Sequence, residues 1–175
     1  MKEKDKYELV WTYPEYRRNS PAERKVEEIY REARKWEAKT VVDYGCGTGR
    51  LSLMLSERGF DVTLVDHAVN CLDEAVEDRL GHKFIQGCLW EIEVDGDFGV
   101  CVDVLEHIPE DRVEGVLSKI RTPHGYFQIA TNMDGFGPKL IGEHLHLTVH
   151  PMGWWMERIK RFFPDAVQMD RVVVF

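Results

Sequence analysis

A chain of 175 residues is the size of one domain and long enough to bury a sizeable core. Its 31 acidic residues against 23 basic ones give a net charge of −8, which argues against a generic nucleic-acid-coating protein while leaving room for a local basic patch. Cys46, Cys71, Cys88 and Cys101 show neither Cys-x-x-Cys spacing nor the density of a secreted disulfide scaffold, so reduced thiols in a cytoplasmic setting are expected. The charged start, Met1 to Lys6, lacks the apolar centre of a signal peptide. No apolar run approaches the roughly 20 residues of a membrane span, and a soluble protein is expected.

Along the chain, Trp11-Thr12-Tyr13-Pro14-Glu15-Tyr16-Arg17-Arg18 comes first and mixes aromatics with arginines without a period. It reads either as a segment that closes over a ligand or as an arm packed by its aromatics. Ser20-Pro21 suits a helix start, Ser20 as the cap and Pro21 in the first turn, for the amphipathic stretch through Tyr30. Val41-Val42-Asp43-Tyr44-Gly45-Cys46-Gly47-Thr48-Gly49-Arg50 then describes a strand at 40–45 that turns sharply into a helix at 48–58. Glycines let backbone approach a ligand or adopt positive φ, and the helix N-terminus offers unpaired N–H groups. The glycines are spaced by two and no Gly-Lys-Ser/Thr follows, so neither the dinucleotide fingerprint nor the phosphate loop is met. Strands at 61–66, 83–88, 98–104 and 125–131 follow, with helices at 69–79 and, after Pro109, at 110–120. This alternation predicts a mostly parallel sheet with helices on both faces. A Gly-rich loop at 132–143, a His-rich segment, a helix near 152–163 and a terminal strand around 166–175 complete the chain.

Ligands in such sheets sit beyond the carboxyl ends of the strands, which singles out three places. Asp66 ends the second strand about 20 residues after the glycine turn, where a carboxylate can accept hydrogen bonds from both hydroxyls of a ribose. Asp103, Glu106 and His107 end the fourth strand and share a face at i, i+3 and i+4 if 103–107 turn helically. His144, His146 and His150 share a face if that segment is extended, with Leu145, Leu147 and Val149 on the other, and this can set a histidine across from Glu106 and His107. An imidazole near neutral pKa suits proton removal from an acceptor hydroxyl or amine. Asp103, Glu106, His107 and His146 together would suit a divalent cation; histidines that shape a substrate site without metal are the alternative. Trp154-Trp155 reads as a wall for a flat acceptor or as packing, with at least one ring packed.

Residues 41–50 resemble the first motif of class I S-adenosylmethionine-dependent methyltransferases. Asp103-Val104-Leu105-Glu106-His107-Ile108-Pro109 resembles the fourth-strand motif of the ubiquinone-biosynthesis type methyltransferases. Standard motifs cover residues 38–131. The flanks, with Trp11-x-Tyr13-Pro14-x-Tyr16-Arg17, Gly135-Phe136-Gly137 and Trp154-Trp155, resemble small methyltransferases of phages and prophages. The resemblance implies a Rossmann-like α/β fold that binds S-adenosylmethionine through Asp43, Gly45, Cys46, Gly47, Asp66, His67, Cys88, Leu89, Asp103 and Val104. Cys88 stands where the family often carries an aspartate facing the adenine amino group. Glu106, His107 and His146 are implied as the catalytic group.

Metal-dependent O-methyltransferases, including those acting on the terminal ribose of small RNAs, share an acidic-x-x-Glu-His motif and a later histidine; a divalent metal stays open and is not favoured. A small-molecule or nucleotide acceptor is expected ahead of nucleic acid, with a non-catalytic cofactor-binding module as the remaining alternative and no membrane partner. One domain is expected over 1–175: an arm and helix at 1–37, a cofactor core at 38–131, and a substrate loop, helix and last strand at 132–175. Asp165 to Phe175 has room for one long strand or two very short ones, where the family ends on a sixth and a seventh, so a truncated sheet edge is expected.

Overall fold

The computed structural model describes residues 3–19 and 21–175; Met1, Lys2 and the expected cap Ser20 lie outside the described residues. Seven strands form one sheet: β1 (Thr40–Tyr44), β2 (Asp61–Asp66), β3 (Phe84–Gln86), β4 (Phe98–Val102), β5 (His124–Gln128), β6 (Val167–Met169) and β7 (Val172–Val174), in the order β3-β2-β1-β4-β5-β7-β6. The first five strands are parallel, and β7 runs antiparallel to β5 and β6. β4 is buried at all five positions, the pattern of a central parallel strand covered on both faces. Strand order reverses between β1 and β4, so their carboxyl ends, at Tyr44 and Val102, diverge around a crevice.

Helices α3 (Val26–Lys35), α4 (Arg50–Glu57) and α5 (Glu74–Leu80) bury Ile29, Ala33, Leu51, Leu55 and Val76 against one face. α6 (Val113–Lys119) and α8 (Met152–Phe162) bury Val116, Leu117, Trp155 and Ile159 against the other. Two short helices, α1 (Glu3–Val10) and α2 (Pro14–Arg18), precede the sheet, and α7 (Phe136–Ile141) forms inside the stretch expected to be a loop. The Gly142 φ of +75° ends α7 in the left-handed manner favoured by glycine. Among the described residues no helix is long and apolar enough to cross a membrane.

The expected truncation of the sheet edge is not found. Asp170, at φ +55°, reverses the chain between β6 and β7, so eleven residues supply two strands of three rather than one long strand. The edge holds because Val173 is buried and Phe175 packs edge-on against Phe127 and stacks on Phe163. The helix expected from 69 starts only at Glu74, after a turn in which Arg50 pairs with Asp73.

Gly49 caps α4 at φ +71°, and a Cβ there would lie 2.7 Å from Val76 and 2.9 Å from Leu72. Gly49→Ala is expected to cost about 2 kcal/mol through backbone strain and overpacking, read as a lower denaturation midpoint at unchanged m-value.

Candidate active site

The glycine turn is held by the neighbouring strand. Gly45 and Cys46 both donate their N–H to the Val65 carbonyl, at 2.8 and 2.9 Å. Gly45 and Gly47 adopt φ of +79° and +50°; a Cβ on Gly45 would strike Val104 at 2.5 Å, and one on Gly47 would meet the Trp11 ring at 3.0 Å. Only glycine leaves space here for another group. Asp66 binds the turn from the end of β2: its carboxylate accepts from Gly47 N and Ala68 N, both at 3.0 Å. Burial pushes the Asp66 carboxyl above the usual range, against these hydrogen bonds. Asp43 sits one layer deeper, buried and accepting from Ser52 Oγ at 2.6 Å, with burial raising it to about 6. It braces α4 against β1.

Beside the turn lies a cleft lined by Gly45, Asp66, His67, Leu89, Val104 and His107, with Tyr7, Trp11, Tyr16 and Trp90 as its aromatic walls. Gly87 and Leu89 line it, whereas Cys88 turns toward Glu91, so the expected contact at Cys88 falls to its neighbours. Cys46 lines a second part of the same crevice with Gly47, Asp134 and His146. The two parts enclose about 80 and 140 Å³, below the roughly 300 Å³ at which ordinary ligand pockets begin, and Trp11 and Tyr16 line both. Tyr7 and Trp90 went unnoticed in the sequence. Tyr7 sits in a charged segment with no apolar period, and only the tertiary fold lays that segment over the sheet.

The end of β4 departs from the expected helical face. Asp103 takes φ +52°, outside any helix, and its carboxylate accepts from Gln128 Nε2 at 3.1 Å. Leu105 to His107 form a single 3₁₀ turn. Glu106, His107 and His146 come together, each with a side-chain ligand atom within 4.8 Å of the others; Asp103 is not part of that group. The His-rich segment is not a strand and does not gather three histidines on one face. Its backbone is tied to Asp134 at Leu145 N and His146 N and to the Glu106 carbonyl at Leu147 N and Thr148 N. His146 packs edge-on to His107 at 4.7 Å, His144 faces Asp134, and His150 stacks on Trp154 and bonds Glu110. Of the tryptophan pair, Trp155 is fully buried while Trp154 lies under the Arg158 guanidinium.

Burial keeps Glu106 and His107 uncharged near pH 7. Glu106 is fully buried, one carboxylate oxygen accepting from Ala130 N at 3.0 Å and the other without a partner. Burial, then the Asp103 charge, raise it to about 8. Burial lowers His107 to about 3, so its ring is neutral near pH 7. The Nδ1 of His146 contacts the Asn132 carbonyl at 2.5 Å, and since a carbonyl only accepts, Nδ1 carries a proton. Buried Trp11 Nε1 and His67 Nε2 on the cleft wall also lack partners. Unpaired buried polar atoms are costly, and Trp11 and His67 place two of them on one crevice, while Glu106 lies buried beside its His107 and His146 lining.

A sheet in this order, with a left-handed glycine turn after β1 and a buried carboxylate ending β2, defines a Rossmann-like methyltransferase fold. Residues 41–122 match the family described as a methyltransferase domain. The mitochondrial ubiquinone biosynthesis O-methyltransferase of Schizosaccharomyces pombe is 31% identical over 119 residues, 59% of this chain and 42% of that protein. The chain thus spans about two fifths of the length of the curated relatives it matches first, at 42% and 41%. A solved protein of Pyrococcus horikoshii OT3 shares the fold at TM-score 0.65 and 15% identity, over 93% of this chain and 97% of that one. The small RNA methyltransferase HEN1 does so at TM-score 0.63 and 18% identity, over 87% of this chain and 24% of that one. Residues 41–122 thus resemble a methyltransferase domain, and the sheet as a whole has the fold of solved methyltransferases.

The raised Glu106 pKa has a sign that can be checked. Its folded value of about 8 lies above the ordinary 4.5, so the folded state holds the proton more tightly, and the stability this contributes is lost as pH rises from 4.5 to 8. Glu106→Gln keeps the acceptor for Ala130 N and cannot ionise. Thermal melts of wild type are expected to fall between pH 5 and pH 8 by more than those of Glu106→Gln; parallel curves would refute the buried-acid assignment.

Proposed function

We propose that this chain transfers a methyl group from S-adenosylmethionine to an oxygen of a small-molecule or nucleotide acceptor. The observation that carries this reading is the convergence of the glycine turn, the Asp66 carboxylate and the partnerless Trp11 Nε1 and His67 Nε2 on one crevice at the switch between β1 and β4. S-adenosylmethionine, when bound, supplies an activated sulfonium methyl. Asp66 would hold the ribose hydroxyls, the Gly45 to Gly47 backbone would pass beneath the amino-acid portion, and Leu89, Trp90 and Val104 would form an apolar slot for the adenine. His67 would contact the cofactor from the cleft wall. Trp11 and Tyr16, which line both parts of the crevice, would swing aside to admit a ligand of this size.

Methyl transfer asks the protein to orient the acceptor and to take its proton. His107 and His146 are the groups placed for that task, with the Glu106 acid buried beside them. An acceptor hydroxyl in the crevice would meet the His107 and His146 rings, and the uncharged His107 imidazole offers it a lone pair. Relatives named as O-methyltransferases support oxygen as the accepting atom.

A second reading places a divalent cation among Glu106, His107 and His146. Three donor atoms within 4.8 Å of one another, one of them an unpaired carboxylate oxygen, favour it. A cation would displace the Glu106 proton and polarise the acceptor oxygen.

Calorimetry is expected to show S-adenosylmethionine binding that Asp66→Ala weakens by about tenfold or more, the loss of a charge-assisted pair of hydrogen bonds. Absence of binding by the wild-type chain would leave only a non-catalytic fold. Release of S-adenosylhomocysteine across a panel of catechols, hydroxybenzoates and nucleosides then names the acceptor class. A rate abolished by EDTA and restored by Mg²⁺ or Mn²⁺ selects the cation reading; a rate indifferent to EDTA selects the proton-transfer reading.

A further inference from the structure

Tyr7 comes from the far end of the chain to touch the centre of the site. It is buried on α1, and its hydroxyl lies 2.6 Å from His107 Nδ1 and 3.3 Å from the Leu145 carbonyl, with His107 Nδ1 3.1 Å from that same carbonyl. These three atoms form a triangle that admits few proton placements. Were Tyr7 to donate to a bare Nδ1, that nitrogen's lone pair would face the carbonyl oxygen at 3.1 Å, two acceptors against each other. With the proton on Nδ1, every contact has a donor and an acceptor. The imidazole N–H then gives to the Tyr7 oxygen and the Leu145 carbonyl, and the Tyr7 hydroxyl gives to Leu145.

We propose that Tyr7 is a positioning residue that holds His107 as the Nδ1–H tautomer, so that its Nε2 presents a lone pair to the acceptor or to a cation. The inference rests on the reading of Glu106, His107 and His146 as the reacting group. It makes His107 match His146, whose Nδ1 proton is likewise tied to a backbone carbonyl, that of Asn132. Hydrogen bonding at one ring nitrogen sets what the other can do, and such orienting partners matter to activity almost as much as the groups they orient. The ring contacts hold Tyr7 in place independently of its hydroxyl: it meets His67 edge-on at 4.9 Å and His107 at 5.7 Å.

Tyr7 also joins this arrangement to ligand access. Trp11, which covers Gly47, sits one turn further along, and its N–H donates to the Tyr7 carbonyl at 2.9 Å. A movement of Trp11 that opens the crevice therefore pulls on the residue that orients His107.

The test is ¹⁵N NMR of histidine-labelled protein together with Tyr7→Phe, which keeps the ring and removes the hydroxyl. Wild-type His107 is expected as a single tautomer with a pyrrole-type Nδ1 and a pyridine-type Nε2. Tyr7→Phe should lose that single state and show exchange between tautomers. In the methyl-transfer assay the variant should lose roughly tenfold in kcat with the KM for S-adenosylmethionine unchanged. A wild-type His107 protonated on Nε2 overturns the proposal without need of the variant, as does a Tyr7→Phe protein with the wild-type tautomer and kcat. The spectra read the tautomer whether or not the cofactor binds, so failure of the methyltransferase reading and failure of this one are separate results.

Discussion

Glu106 is the residue on which the arrangement of the site depends. Its side chain accepts from Ala130 N just beyond β5, and its backbone carbonyl accepts from Leu147 N and Thr148 N. One residue at the end of β4 thereby fixes the end of the next strand and draws in a segment some forty positions later, the one that carries His146. The cost is a buried carboxyl with an unpaired oxygen, tolerated as a neutral acid because its pKa lies near 8. The fold thus carries a buried, partnerless carboxyl oxygen beside His107 and His146.

The other half of the crevice is organised by Asp66 in a comparable way. Its carboxylate ties Gly47 to the end of β2, so the glycine turn is braced across the sheet rather than along its own chain. Arg17 fastens the N-terminal segment nearby, donating to the Asn70 and Leu72 carbonyls and pairing with Asp73, while Asn70 donates to the Glu8 carbonyl. Polar contacts to backbone hold the covering segment down and aromatic rings fill the space under it. Tyr7 and Val10 anchor this cover in the core, with Trp11 and Tyr16 packed against it.

Much of the fold was legible in the chain. Parallel strands buried on both faces read as continuous apolar runs, and β1, β2, β4 and β5 fall within two or three residues of where those runs lie. Asp66 was legible for the same reason: a strand end followed by a turn leaves a side chain at the rim of the sheet. The His-rich segment was not. Alternation suggested an extended face, but Asp134 and the Glu106 carbonyl capture its N–H groups one by one, and hydrogen bonds to distant residues outweigh a local period. Asp103 likewise leaves the helical face because its left-handed backbone lets it meet Gln128 instead.

What the sequence determined by itself, then, is the sheet, the glycine turn and the acidic strand ends, since each follows from the local stereochemistry of glycine, β-branched residues and strand termini. What only the tertiary structure decided is which side chains meet: His146 with His107, Tyr7 with His107 Nδ1 across a hundred residues, and Trp11 with Gly47. Those contacts arise from packing among elements far apart in the chain. Packing depends on the shape of all the partners together, which no single segment records.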